Sequence, residues 1–114
     1  MTPYQHQVQF ISAPRGNQIS FALPGKKRLM LEFLTVNFTL NGQFDAPCVF
    51  IACTLNGTTT SHFFPLVELD SNNYGLAQLI KLYAEPGSKI GVQVSSVNGG
   101  TFNGFVTLVG QLTP

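Results

Sequence analysis

ISFALPGKKRLMLEFLTV, from Ile19 to Val36, is an alternating apolar run, a Pro-Gly turn and a second alternating run, and IKLYAEPGSKIGVQVSSV, from Ile80 to Val97, repeats that plan. A shift of 61 residues matches Ile19 with Ile80, Phe21 with Leu82, Leu29 with Ile90, Leu31 with Val92, Phe33 with Val94 and Val36 with Val97; the Pro-Gly pairs fall one residue out of step. A period of two along each run puts one face of a strand against a core and the other toward solvent. The echo therefore predicts an all-β fold built from two similar halves. Type II geometry, with Pro setting φ and Gly taking the positive φ that follows, splays a two-residue hairpin. Pro24-Gly25 and Pro86-Gly87 are accordingly expected at arches that carry the chain between sheets.

Outward from these units the same alternation predicts about eight strands. They are expected near Gln5 to Ser12, Gln18 to Leu23, Arg28 to Leu40, Cys48 to Leu55, Ser61 to Val67, Ala77 to Tyr83, Lys89 to Ser96 and Phe105 to Leu112. No segment has the period of an amphipathic helix, so βαβ units and a parallel sheet are not expected. Asn56-Gly57 predicts a type I′ hairpin, and Asn98-Gly99-Gly100 is read as a similar turn before the last strand. In the third strand Leu29, Leu31 and Phe33 share one parity and Leu34, Val36, Phe38 and Leu40 the other, so a β-bulge at Phe33-Leu34 is expected to keep both sets, Phe33 included, on the core side. Pro65, lacking an N–H, predicts an edge strand or a bulge. Phe63 and Phe64 are adjacent in a strand and must face opposite ways.

At 114 residues the chain has the size of one domain, read as a single β-sandwich domain over residues 1–114. The expected class is an antiparallel β-sandwich of jelly-roll or Greek-key type. The absence of Trp and of a widely spaced Cys pair argues against an immunoglobulin-like sandwich. Charged residues make up only 10% of the chain, against roughly 25% in an average soluble protein. With a net charge of +1 there is no field to steer the chain to nucleic acid or an anionic membrane, and neither partner is expected. A surface so weakly charged favours association, including with copies of itself.

No apolar run reaches the roughly 20 residues of a membrane-spanning helix, and MTPYQHQVQF has neither the basic start nor the apolar stretch of a signal peptide. Cys48 and Cys53, five residues apart in one strand, point to opposite faces, so no disulfide between them is expected. Cys53 shares the face of Val49, Ile51 and Leu55 and is read as a core residue.

Chemistry-bearing residues are few. His6, His62 and five acids form no local motif, and neither Cys lies at ligand spacing from a His, so neither a metal nor any other cofactor is expected. No G-x-S-x-G elbow frames a serine, and the chain is read as non-enzymatic. Lys26-Lys27-Arg28 is the one basic cluster, read as a solvated cap. The candidate ligand-contact loop is LDSNNYG, Leu69 to Gly75, where Asp70, Asn72, Asn73 and Tyr74 offer oxygens, amides and a ring suited to sugar hydroxyls. Asn98 to Asn103 is a candidate extension of it.

LPGKKRLMLEFLTV and LIKLYAEPGSKIGVQV resemble the PxGKRLxxEfl and YAdPGt-type segments of a group of small bacterial proteins, and GFVTLVGQL looks like their closing strand. Those motifs specify strands and turns. The resemblance implies a β-sandwich and carries no catalytic residue with it. Two functions follow as expectations: a structural module that self-associates into a homo-oligomer, as capsid-like and trimeric jelly rolls do, and a lectin-like module that binds carbohydrate through the Asp70 to Tyr74 loop.

Overall fold

The computed structural model describes residues 2–42 and 45–114. Among them nine strands follow one another: β1 (Thr2–Pro14), β2 (Gln18–Ala22), β3 (Arg28–Asn41), β4 (Cys48–Leu55), β5 (Thr58–Pro65), β6 (Val67–Asp70), β7 (Asn73–Ala84), β8 (Lys89–Ser95) and β9 (Thr101–Thr113). They form a sandwich of two antiparallel sheets, one ordered β1-β9-β3-β7-β6 and the other β2-β8-β4-β5. The ninth strand arises because the chain crosses sheets at Leu66, between Pro65 and Val67, and pairs β6 with β7. Pro65 ends β5, which is an edge strand, as a residue without an N–H requires.

The two echoing units are β2–β3 and β7–β8, and they embrace. β2 pairs with β8 in one sheet while β3 pairs with β7 in the other. Both Pro-Gly turns cross between sheets, as expected. Pro86-Gly87 is of type II, with Gly87 at φ 73° and the Ser88 amide donating to the Glu85 carbonyl at 3.3 Å. Gly25 does not take a positive φ, so the first arch differs from the type II turn expected of it. Asn56-Gly57, at φ 54° and 77°, is the expected type I′ hairpin between β4 and β5. Asn98-Gly99-Gly100 is no hairpin: it carries the chain from β8 to β9, in the opposite sheet.

The bulge lies earlier than the parity switch suggests. Register shifts on both sides of β3 between Leu31 and Phe33. Against β9 the extra residue is Glu32; against β7 it is the neighbour that carries two residues, Ile80 and Lys81, opposite Glu32. Leu29, Leu31, Leu34, Val36, Phe38 and Leu40 all stay buried, while Phe33 turns outward between Val109 and Leu79. Placing Phe33 with the inward set was wrong by one residue, because Glu32, not Phe33, is the inserted one. Gly110 of β9 faces this bulge so closely that a Cβ there would stand 2.0 Å from the Met30 carbonyl oxygen.

The inner faces meet in one continuous cluster. Val8, Phe10, Leu31, Leu34 and Leu108 come from the larger sheet and Val49, Ile51, Ile90, Val92 and Val94 from the smaller. Phe10, Phe38 and Phe102 pack as a triad with ring centroids 5.1–5.8 Å apart, a geometry worth about 1 kcal/mol per pair beyond area burial. Cys53 is part of this core; Cys48, on the other face of β4, is also buried, and both are free thiols.

Candidate functional site

The hairpin at the β6–β7 turn holds the sequence-predicted ligand residues, yet it is mostly strand. Leu69 and Asp70 end β6, Asn73 and Tyr74 begin β7, and only Ser71-Asn72 turns. Asn72 takes φ 66°, a conformation Asn tolerates, and its carbonyl accepts from the Leu40 amide at 2.7 Å. The Asn73 side-chain amide donates to Asp70 Oδ1 and its Oδ1 accepts from Thr39 Oγ1 at 3.0 Å. Tyr74 packs its ring on the core and donates its hydroxyl to Glu68 Oε2 at 3.1 Å. That hydrogen bond above all raises the Tyr74 phenol, with desolvation and the charges of Glu68 and Asp45 adding to it. The polar atoms of the predicted loop are thus engaged in holding the turn.

The second candidate segment behaves alike. Asn98 accepts from the Asp45 amide at 2.9 Å and donates to Asp45 Oδ2 at 2.8 Å, and Asn103 Oδ1 accepts from the Ser12 amide at 2.7 Å. Arg15 joins this end through the Ser96 carbonyl at 3.3 Å. At the opposite end Lys27 donates to Thr2 Oγ1 at 3.2 Å, and Glu85 accepts from the Gly57 amide at 2.8 Å.

Most charges lie toward the ends; Glu32, at the bulge, accepts from the Gln111 side-chain amide at 3.5 Å and Lys81 is exposed on β7, while the rungs beside them are uncharged. On the larger sheet three successive rungs run outward-facing across the strands: Gln9, Phe105, Asn37, Gly75 and Val67; then Gln7, Thr107, Thr35 and Ala77; then Gln5, Val109, Phe33 and Leu79. None holds a charged residue. Leu79 is 81% exposed, Leu69 63%, Val67 56% and Phe105 40%. The first two rungs, with Leu69 folded over Gly75 as a wall, form a trough of about 640 Å³. On the smaller sheet the outer rungs are Gln18, Gln93, Phe50 and Phe63, then Ser20, Gly91, Ala52 and Ser61. Phe63 is 58% exposed and stacks obliquely on Phe50 at 5.4 Å, whereas Phe64 is buried.

A smaller cleft between the sheets, beside β5, is lined by Cys53, His62, Lys81 and Tyr83 among others. Burial pushes the Cys53 thiol up to about 11, so at neutral pH it is a protonated thiol and a poor nucleophile. Among the described residues no three His, Cys, Asp or Glu side chains stand together as metal ligands.

Sequence reasoning pointed to weakly charged sheet faces as a contact surface but named few of the residues on them. The further signal is in the runs QHQVQ and VTLVGQ, whose outward positions carry Gln, Thr and Val and no charge.

No protein-family model matches the chain, and no curated protein matches it. Among solved structures it is similar to the crystal structure of the infectious bursal disease virus VP2 subviral particle, at 18% identity and a TM-score of 0.40. The match covers 93% of this chain and 30% of that one.

Proposed function

We propose that this chain is a non-enzymatic jelly-roll module that works by self-association. The strand order supports the jelly-roll assignment: setting β6 aside, β1-β9-β3-β7 faces β2-β8-β4-β5, so each sheet interleaves early and late strands as two nested Greek keys do. The observation that carries the assembly reading is the run of uncharged outer rungs on both sheets, with Phe33, Leu79, Phe105, Val67 and Phe63 turned outward. Exposed apolar surface flanked by polar residues marks a contact surface. Light scattering tests it: the wild-type chain is expected at two or more times 12.4 kDa. A wild-type mass of one chain at every concentration contradicts the reading.

The carbohydrate-binding alternative draws support from the trough rather than from the Asp70 to Tyr74 turn. There the half-exposed Phe105 ring stands beside the Gln7 and Asn37 amides, a mix of aromatic platform and amide groups that suits a sugar. Titration with an oligosaccharide panel, repeated on Phe105→Ala, tests it; no heat with any sugar removes it.

A further inference from the structure

From the four sheet edges we infer that the self-association proposed above uses β1, two copies pairing their β1 strands antiparallel about a two-fold axis at Gln7. Three of the edges carry features that discourage strand addition. β6 is four residues long and bears Glu68 and Asp70, β5 ends on Pro65, and β2 is five residues long. β1 differs. It spans thirteen residues without a single Asp, Glu, Lys or Arg, and among the described residues no strand pairs with its outer edge.

The usable length of that edge fixes the register. Its pairing with β9 is regular from Thr2 to Phe10, then shifts before Ala13, with Ser12 at φ 44°. Pro3, without an N–H, blocks the other end. The unobstructed segment is Tyr4 to Phe10, and its midpoint is Gln7. Centring a two-fold there sets Gln5 opposite Gln9 of the second copy, Gln9 opposite its Gln5, and Gln7 opposite Gln7. On the other side of the strand Tyr4 meets Phe10, and His6 meets Val8.

The segment is therefore close to palindromic in side-chain type. A Gln amide offers both donors and an acceptor, so it pairs with an identical group with no complementary charge. Gln5, Gln7 and Gln9 are all exposed on the outer face; Gln7 donates one N–H to Thr107 Oγ1 of β9 at 3.3 Å, which leaves its amide oxygen and second N–H for the second copy. Directly opposite side chains in an antiparallel pair have Cβ atoms about 5 Å apart, within reach of both amides. The product is one ten-stranded sheet whose outer face carries the uncharged rungs of both chains without a break.

Sedimentation equilibrium of charge variants tests the register. Gln5→Lys with Gln9→Lys sets like charges opposite each other twice and is expected to weaken association roughly tenfold or more. Gln5→Lys with Gln9→Glu sets opposite charges in the same places and is expected to associate at least as well as wild type. If wild type associates and both variants match it, self-association stands but the β1 interface is overturned. If wild type is a monomer, both fall. Should the doubly lysine-substituted chain fail to fold, Gln7→Cys under mild oxidant decides. The two Cα atoms at the axis lie within disulfide range in such a pair, so a covalent dimer of twice 12.4 kDa is expected, and none overturns the inference.

Discussion

The amide of Gly87 donates to the carbonyl of Pro24 across 3.1 Å, so the two Pro-Gly arches lie one against the other. The Leu23 amide reaches the Ser88 carbonyl at 2.9 Å in the same contact. The arches are where the two echoing halves clasp, with β2 on β8 below one side and β3 on β7 below the other. The resemblance between the halves is thus an internal near-two-fold arrangement that shapes the fold.

The two glycines of the clasp are not equivalent. Gly87 holds φ 73°, while Gly25 has an ordinary φ and open space around a Cβ. Gly87→Ala is expected to cost about 1–2 kcal/mol in urea unfolding, and Gly25→Ala less than about 0.5 kcal/mol. Equal losses would mean the arches are not held as described.

Gly110 stands where the bulge at Glu32 brings β3 against β9, and a Cβ added there would overlap the Met30 carbonyl oxygen at 2.0 Å. Because the neighbour is backbone, it cannot rotate away, and Gly110→Ala is expected to cost about 3 kcal/mol. A variant as stable as wild type would place the bulge elsewhere.

Much of this architecture is legible in the sequence. The arches, the Asn56-Gly57 hairpin, the edge position of Pro65 and the opposite facing of Phe63 and Phe64 follow from turn chemistry and the period of two. The position of the bulge does not, since Glu32 and Phe33 satisfy the parity switch equally and only the partners, Gly110 on one side and Ile80-Lys81 on the other, select Glu32. The Asp70 to Tyr74 segment misleads for a related reason: Asp and Asn serve a turn and a ligand with the same atoms, and here Thr39 and the Leu40 amide, far away in sequence, take them up.

Those turn bonds make a prediction of their own. Asn73→Ala removes two side-chain hydrogen bonds and is expected to lower stability by about 1–2 kcal/mol, read as a fall in the urea midpoint. An unchanged midpoint would return Asn73 to the list of groups free for a ligand.

Cys53 ties stability to alkaline pH. Its thiol is raised from 9.0 to about 11 by burial, so the folded state binds the proton more tightly than the unfolded one. The contribution is whole below about pH 9 and is lost as pH rises toward 11, on the order of 2 kcal/mol. Unfolding free energies of wild type and Cys53→Ala should converge over that range, and parallel curves would show that the thiol is not desolvated.

Self-association through uncharged surface is tested most directly by sedimentation velocity of the wild-type chain across concentration, at low and at high salt. The account predicts a species heavier than 12.4 kDa that grows with concentration and persists in high salt, since no charge pair is there to be screened. A single species of one chain throughout, or an oligomer that salt dissolves, would contradict it.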